Sequence, residues 1–149
     1  MSEIEYDVIV AGYGPVGETC ANLLGYYGIK ALILDKEKNT YPLPRAITWD
    51  AECQRAMSHC EFLSEVKTRK IRGVDNKDAN KKSIMKITME GFDTYNYQHR
   101  ILFIHQPQFD EAHRENAKKY HTNTIKTGSE LLAVDEAVSY THLTLPTKA

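Results

Sequence analysis

Gly12, Gly14 and Gly17 form G-x-G-x-x-G between two apolar runs, Tyr6 to Ala11 and Ala31 to Leu34, and this arrangement constrains the fold more tightly than anything else in the sequence. The spacing suits a strand that passes through a tight turn into a helix. The first glycine admits the turn, the second lets the backbone approach a pyrophosphate, and the third lets helix and strand pack closely. N–H groups at the mouth of such a helix lack intrahelical partners and, with the helix dipole, favour an anion. Pro15 suits the first helical position, where its missing N–H is not needed and its φ is already helical. Tyr6 to Ala11, rich in β-branched residues, predicts a strand covered on both faces in a parallel sheet.

Small and apolar residues at Val16, Cys20, Leu23, Leu24 and Tyr27 recur at three- and four-residue spacing, which predicts a helix from Pro15 to Tyr27 that Gly28 terminates. Ala31 to Leu34 then reads as a second strand ending on Asp35, 18 positions beyond Gly17. A carboxylate there can accept hydrogen bonds from ribose hydroxyls and repels a 2′-phosphate. Lys36 beside it either approaches the adenine or phosphate edge or stays solvated. The first 35 residues thus read as a right-handed β-α-β unit that binds a dinucleotide. The adenosine diphosphate half is common to FAD and NAD, so this geometry leaves the choice between them open.

Two prolines in "TYPLPRA" make Asn39 to Arg45 irregular. Asp50 is a plausible N-cap for a second helix reaching about His59. The polar stretch Lys67 to Lys82 reads as strand edges and a turn, its acids diluting any basic patch. "IMKITME" alternates apolar and polar residues and predicts a strand with one wet face, while Ile101 to Ile104 reads as a buried strand. Pro107 opens a helix to about Tyr120, and "TIKTGSELLAVDE" reads as two short strands around a Thr-Gly-Ser turn.

A formal net charge of −1, from acids and bases scattered along 149 residues, gives no field for nucleic acid or anionic lipid. No apolar run approaches a membrane span and "MSEIEYD" has no signal-peptide character, so the expectation is a cytoplasmic protein. Cys20, Cys53 and Cys60 have no metal-ligand spacing and read as small buried or half-buried apolar residues. The six histidines show neither H-x-x-x-H nor H-E-x-x-H, so no metal site and no catalytic side chain is assigned.

"GYGPVG", "PRAITWDAECQRAM" and "FIHQPQFDEAHR", in this order, resemble the flavin-dependent aromatic hydroxylases, the group of p-hydroxybenzoate hydroxylase, with the 3-(3-hydroxyphenyl)propionate and phenol hydroxylases as the nearer branch. The resemblance covers roughly Tyr6 to Glu136. It implies an α/β fold: an FAD-binding, Rossmann-like β-α-β domain, truncated, with part of a mixed or antiparallel substrate-side sheet contributed by about 71–104. It implies FAD as cofactor, held at the diphosphate by Gly12, Gly14, Pro15, Val16 and Gly17 and at the ribose by Asp35, where the family more often has Glu. It further implies that Arg45 of "PRA" contacts the diphosphate or its surroundings, and that Gln106 of "QP" reaches the ribityl chain. From the residues alone, Arg45 reads rather as a surface arginine, and Gln106 equally as a helix cap or loop contact.

The implied activity is hydroxylation of a small phenolic substrate with O2 and NAD(P)H through a flavin C4a-hydroperoxide, with homo-oligomerisation of a longer parent left open. That family carries two further motifs, Asp-Gly and Gly-Asp, well beyond this length. The chain is accordingly expected to be an inactive partial FAD-binding domain over 1–136. The tail 137–149, "AVSYTHLTLPTKA", resembles adapter read-through rather than native sequence. An NAD-linked dehydrogenase or flavin reductase would share the first 35 residues, and a non-catalytic interaction fragment is a further alternative.

Overall fold

The computed structural model describes residues 5–43, 48–60, 66–89 and 101–134. Its elements run β1 (Val8–Ala11), α1 (Pro15–Tyr26), β2 (Ala31–Asp35), β3 (Thr48–Asp50), α2 (Ala51–Ala56), β4 (Arg69–Lys70), β5 (Gly73–Lys77), β6 (Ser83–Thr88), β7 (Ile101–Phe103), α3 (Gln106–Lys118) and β8 (Asn123–Thr127). Three strands form a parallel sheet in the order β1-β2-β8, with Ile9 opposite Leu32 and Ile33 opposite Ile125. A second, antiparallel sheet has the order β3-β7-β4, and β5 and β6 pair as a separate antiparallel hairpin. No helix among the described residues is long and apolar enough to cross a membrane.

The β-α-β opening forms as the glycine spacing requires. Pro15 stands at the start of α1, and Gly12 at φ +100° makes the turn out of β1. The helix stops where Gly28 takes φ +72°, its N–H donating to the Gly25 carbonyl at 3.1 Å. The buried face of α1 is only in part the apolar stripe expected from the sequence: Cys20, Leu23 and Leu24 are half-buried, with Leu23 and Leu24 packed against the two cores. Val16 and Tyr27 are largely exposed, whereas Gly17, Glu18, Ala21, Asn22 and Gly25 are buried. Small residues win this face because both β1 and α3 lie close against it: a Cβ on Gly25 would stand 2.4 Å from Tyr120 Cγ. Gly25→Ala must push the Tyr120 ring aside and is expected to destabilise the chain by about 1–3 kcal/mol, read as a lower midpoint in urea unfolding.

Two cores flank α3. Tyr13, Ala21, Ala31, Ile33 and Ala117 pack beneath the parallel sheet, while Trp49, Met57, Cys60, Val66 and Phe109 pack beside the antiparallel one. Between α1 and α3 runs a buried polar seam. The Asn22 side-chain amide donates to the Glu18 and His113 carbonyls at 2.8 and 3.0 Å, and Asn116 donates to Asn22 Oδ1 at 2.7 Å. Asn123 adds bonds to the Ala21 and Ala117 carbonyls, tying the start of β8 to both helices.

Several expectations need correction. β1 is covered on one face only among the described residues, with Ile9 55% exposed. α2 keeps its Asp50 N-cap, whose Oδ1 accepts from the Cys53 N–H at 2.8 Å, but it ends at Ala56, and the strand β3 precedes it where none was expected. Cys53 is exposed rather than half-buried. Among the described residues β6 has no dry face: Met85 is half-exposed and Ile87 only partly covered, because β5 is the one described strand that pairs with it. β7 is half-buried, with Phe103 exposed. After Thr127 no second strand forms through 134; β8 instead pairs in parallel with β2 as the third strand of the sheet.

Candidate nucleotide site

A cleft of about 1070 Å³ opens where β1 and β2 end and α3 begins, and it brings together Gly14, Pro15, Asp35, Lys36 and Gln106. These come from the glycine turn, the end of β2 and the first turn of α3, segments far apart in sequence. Gly12 and Gly17 act on the turn itself rather than lining the cleft: a Cβ on Gly17 would stand 1.9 Å from the Gly12 carbonyl oxygen. Val16 is 79% exposed and is not among the cleft's lining residues. Arg45 lies outside the described residues.

Two features suit the mouth of α1 to an anion. Gly14 is the N-cap and makes no side-chain cap bond, so the first-turn N–H groups have no partner within the helix. No atom lies within 4 Å of where a Gly14 Cβ would be, which leaves open space in front of them. Asp35 is held in place at the other side of the cleft. Its Oδ2 accepts from the Tyr13 N–H and its Oδ1 from the Glu37 N–H, both at 2.8 Å. Each carboxyl oxygen has a further lone pair for another donor, such as a ribose hydroxyl.

Beneath the turn, Gln106 continues into two residues that sequence reasoning missed, Asp110 and Arg114. Gln106, Asp110 and Arg114 follow one another at four-residue spacing along α3, and all three line the cleft. Arg114 donates to the Tyr13 carbonyl and, at 2.6 Å, to Glu18 Oε1; its guanidinium is 3.8 Å from Asp35 Oδ2. Glu18 is fully buried, and its Oε2 has no hydrogen-bond partner among the described residues. Burial outweighs the Arg114 contact and pushes the Glu18 carboxyl up to about 8, with Asp110 and Asp35 adding to the shift. Asp110 is also buried and raised, chiefly by desolvation, against the opposing Gln106 hydrogen bond at 3.2 Å. Its Oδ1 is unpartnered among the described residues. The i, i+4, i+8 spacing of Gln106, Asp110 and Arg114 was the available signal for this stripe.

Comparison with known proteins fits this geometry. The family model described as FAD binding domain matches residues 5–142. A 3-(3-hydroxy-phenyl)propionate/3-hydroxycinnamic acid hydroxylase of Comamonas testosteroni is 28% identical over 132 residues, covering 87% of this chain and 22% of that protein. The enzyme of the same name from Klebsiella pneumoniae (strain 342) is 42% identical over 59 residues, covering 40% of this chain and 11% of that protein. The crystal structure of p-nitrophenol 4-monooxygenase PnpA from Pseudomonas putida DLL-E4 superposes with a TM-score of 0.74 at 22% identity, over 91% of this chain and 35% of that one. The chain thus spans about a fifth or less of the length of these hydroxylase relatives. The adenosine diphosphate half of FAD fits the donors and space present: uncapped N–H groups and an open Gly14 for the diphosphate, an oriented Asp35 for the ribose. With the family model matching nearly the whole chain, from β1 through β8, this protein belongs to the FAD binding domain family.

Proposed function

We propose that this chain is the FAD-binding portion of an NAD(P)H-dependent monooxygenase that hydroxylates a small phenolic substrate with O2, and that these residues alone bind FAD without turning over. The observation that carries the reading is the single cleft joining the mouth of α1, the Asp35 carboxylate and the start of α3. The names of the curated relatives and the fold shared with a nitrophenol monooxygenase support it. FAD, when bound, supplies the redox and oxygen-activating chemistry.

The chain's own residues bind and orient. Gly14, Val16 and Gly17 present the turn and first-turn N–H groups to the diphosphate, with Pro15 opening the helix between them, and Asp35 receives the adenosine ribose. Lys36 stands at the adenine or phosphate edge, and Gln106 holds the ribityl chain from the other end of the cleft. Arg45 is assigned to the diphosphate by its place in the "PRA" element.

Titration of the chain with FAD, ADP, FMN and NAD tests this. FAD is expected to bind, ADP to compete with it, and FMN, which lacks the adenosine half, to bind far more weakly. Asp35→Ala is expected to weaken FAD by roughly 10- to 100-fold, the worth of a charge-assisted hydrogen bond or two. Tighter binding of NAD than of FAD would favour an NAD-linked enzyme instead. Expressed at the full length of its relatives, the protein is expected to be yellow and to consume NADH or NADPH when a phenol is supplied; a colourless protein would end the proposal.

A further inference from the structure

Tyr13 occupies the variable position of the first Gly-x-Gly, yet it is 1% exposed and is held by every group it has. Its N–H donates to Asp35 Oδ2 and its carbonyl accepts from Arg114. Its ring lies under the Arg114 guanidinium, 4.7 Å from centroid to Cζ, and its hydroxyl donates back to the Arg114 carbonyl at 3.5 Å. Arg114 in turn spans Glu18 on α1, Tyr13 in the turn and Asp35 at the end of β2. One guanidinium therefore joins the three segments that surround the nucleotide end of the cleft. The side chain is 11% exposed, so its planar fork of donors acts with little competition from water.

We propose that Arg114 is a positioning residue for nucleotide binding, fixing the Tyr13–Asp35 unit in the geometry that receives the adenosine ribose. The inference rests on the adenine-nucleotide reading above. Arg114 acts through Asp35 and the turn; the nucleotide is touched by those groups.

The test separates positioning from plain stability. In the 149-residue chain, Arg114→Met alone leaves Glu18 buried without its partner and is expected to lower the melting temperature and ADP affinity together. Glu18→Leu combined with Arg114→Met removes both members of the pair and is expected to return the melting temperature towards the wild-type value, since apolar replacement of a buried pair is often neutral. ADP affinity in this double variant is expected to remain about tenfold or more below wild type. Adding Asp35→Ala to it is expected to weaken ADP little further, because Asp35 has already lost its orientation. Arg114→Lys, which keeps the charge without the fork, is expected to fall between.

A double variant that binds ADP as the wild type does, or in which Asp35→Ala costs as much as in the wild type, overturns the inference and leaves the nucleotide reading standing. A wild-type chain that binds no ADP overturns both.

Discussion

Gly17→Ala is expected to abolish nucleotide binding and to lower stability by about 3 kcal/mol or more, the upper range for an overpacked site. The added Cβ would stand 1.9 Å from the Gly12 carbonyl oxygen and 3.0 Å from its carbon. Both are backbone atoms of the turn, so relief means moving α1 away from β1 and opening the anion site with it. Gly14→Ala provides the contrast. Nothing lies within 4 Å of its Cβ, so the fold is expected to keep its melting temperature, yet the methyl projects into the space assigned to the diphosphate. Thermal melting and ADP titration on both variants check the pair. Equal melting temperatures for Gly17→Ala and wild type would mean that the turn does not hold α1 at this distance.

The second large effect is on pH. Glu18 has its carboxyl raised from 4.5 to about 8, so the folded state binds a proton that the unfolded state releases. Its contribution to stability is complete below about pH 4.5 and is lost as pH rises through about 8. His113 behaves oppositely. It is 1% exposed, packed edge-on against Phe109 at 4.2 Å, and burial lowers it from 6.5 to about 4. Its contribution is complete above about 6.5 and is lost as pH falls towards about 4. Where both gradients act, between 4.5 and 6.5, they oppose each other, so these two groups give a plateau there that falls away on both sides.

At about 1.4 kcal/mol per pH unit, the alkaline limb from 6.5 to about 8 is worth about 2 kcal/mol and the acid limb from 4.5 to about 4 under about 1 kcal/mol. Among the described residues the groups facing Glu18 are Arg114, Asp110, Asp35 and the Tyr13 hydroxyl. Glu18→Gln keeps an acceptor for Arg114 and removes the titration, so its urea midpoint is expected to stay level from pH 6.5 to 8 where the wild type declines. His113→Leu is expected to remove the acid limb and, with the Glu18 gradient no longer opposed, to extend the alkaline decline down through the plateau to about pH 4.5. An unchanged alkaline limb in Glu18→Gln would place the responsible group elsewhere.

The geometry of the proposed nucleotide clamp was legible because its chemistry is local. Gly12, Gly14, Gly17 and Asp35 sit at fixed offsets within one β-α-β unit, and Pro15 and Gly28 mark where α1 starts and stops. What escaped was set by partners distant in sequence. Val16 and Tyr27 look like core positions by periodicity, but α1 turns Glu18, Asn22 and Gly25 inwards because α3, some ninety residues on, offers hydrogen-bonding groups, and Tyr120 just after it a close ring. Glu18 reads as a surface acid until Arg114 is placed beside it. The alternation in "IMKITME" correctly signals a strand, but alternation does not supply the second layer that would bury it. Gln106 was readable through the "QP" element, whereas Asp110 and Arg114 needed the helix to be followed for two more turns.

The strand order β1-β2-β8 has a consequence for how the chain acquires its structure. Ala31 pairs with Asn123, so between neighbouring strands of one sheet the polypeptide makes both other sheets, α2 and α3. Closing that excursion of roughly ninety residues carries a loop entropy that local turns do not, and contacts of such long separation slow folding. During synthesis, β1, α1 and β2 emerge early, but β2 keeps an open edge until β8 is made. Docking of β8 is therefore expected to be the late event in refolding, following collapse around Trp49 and Phe109 and preceding any capacity to hold a nucleotide.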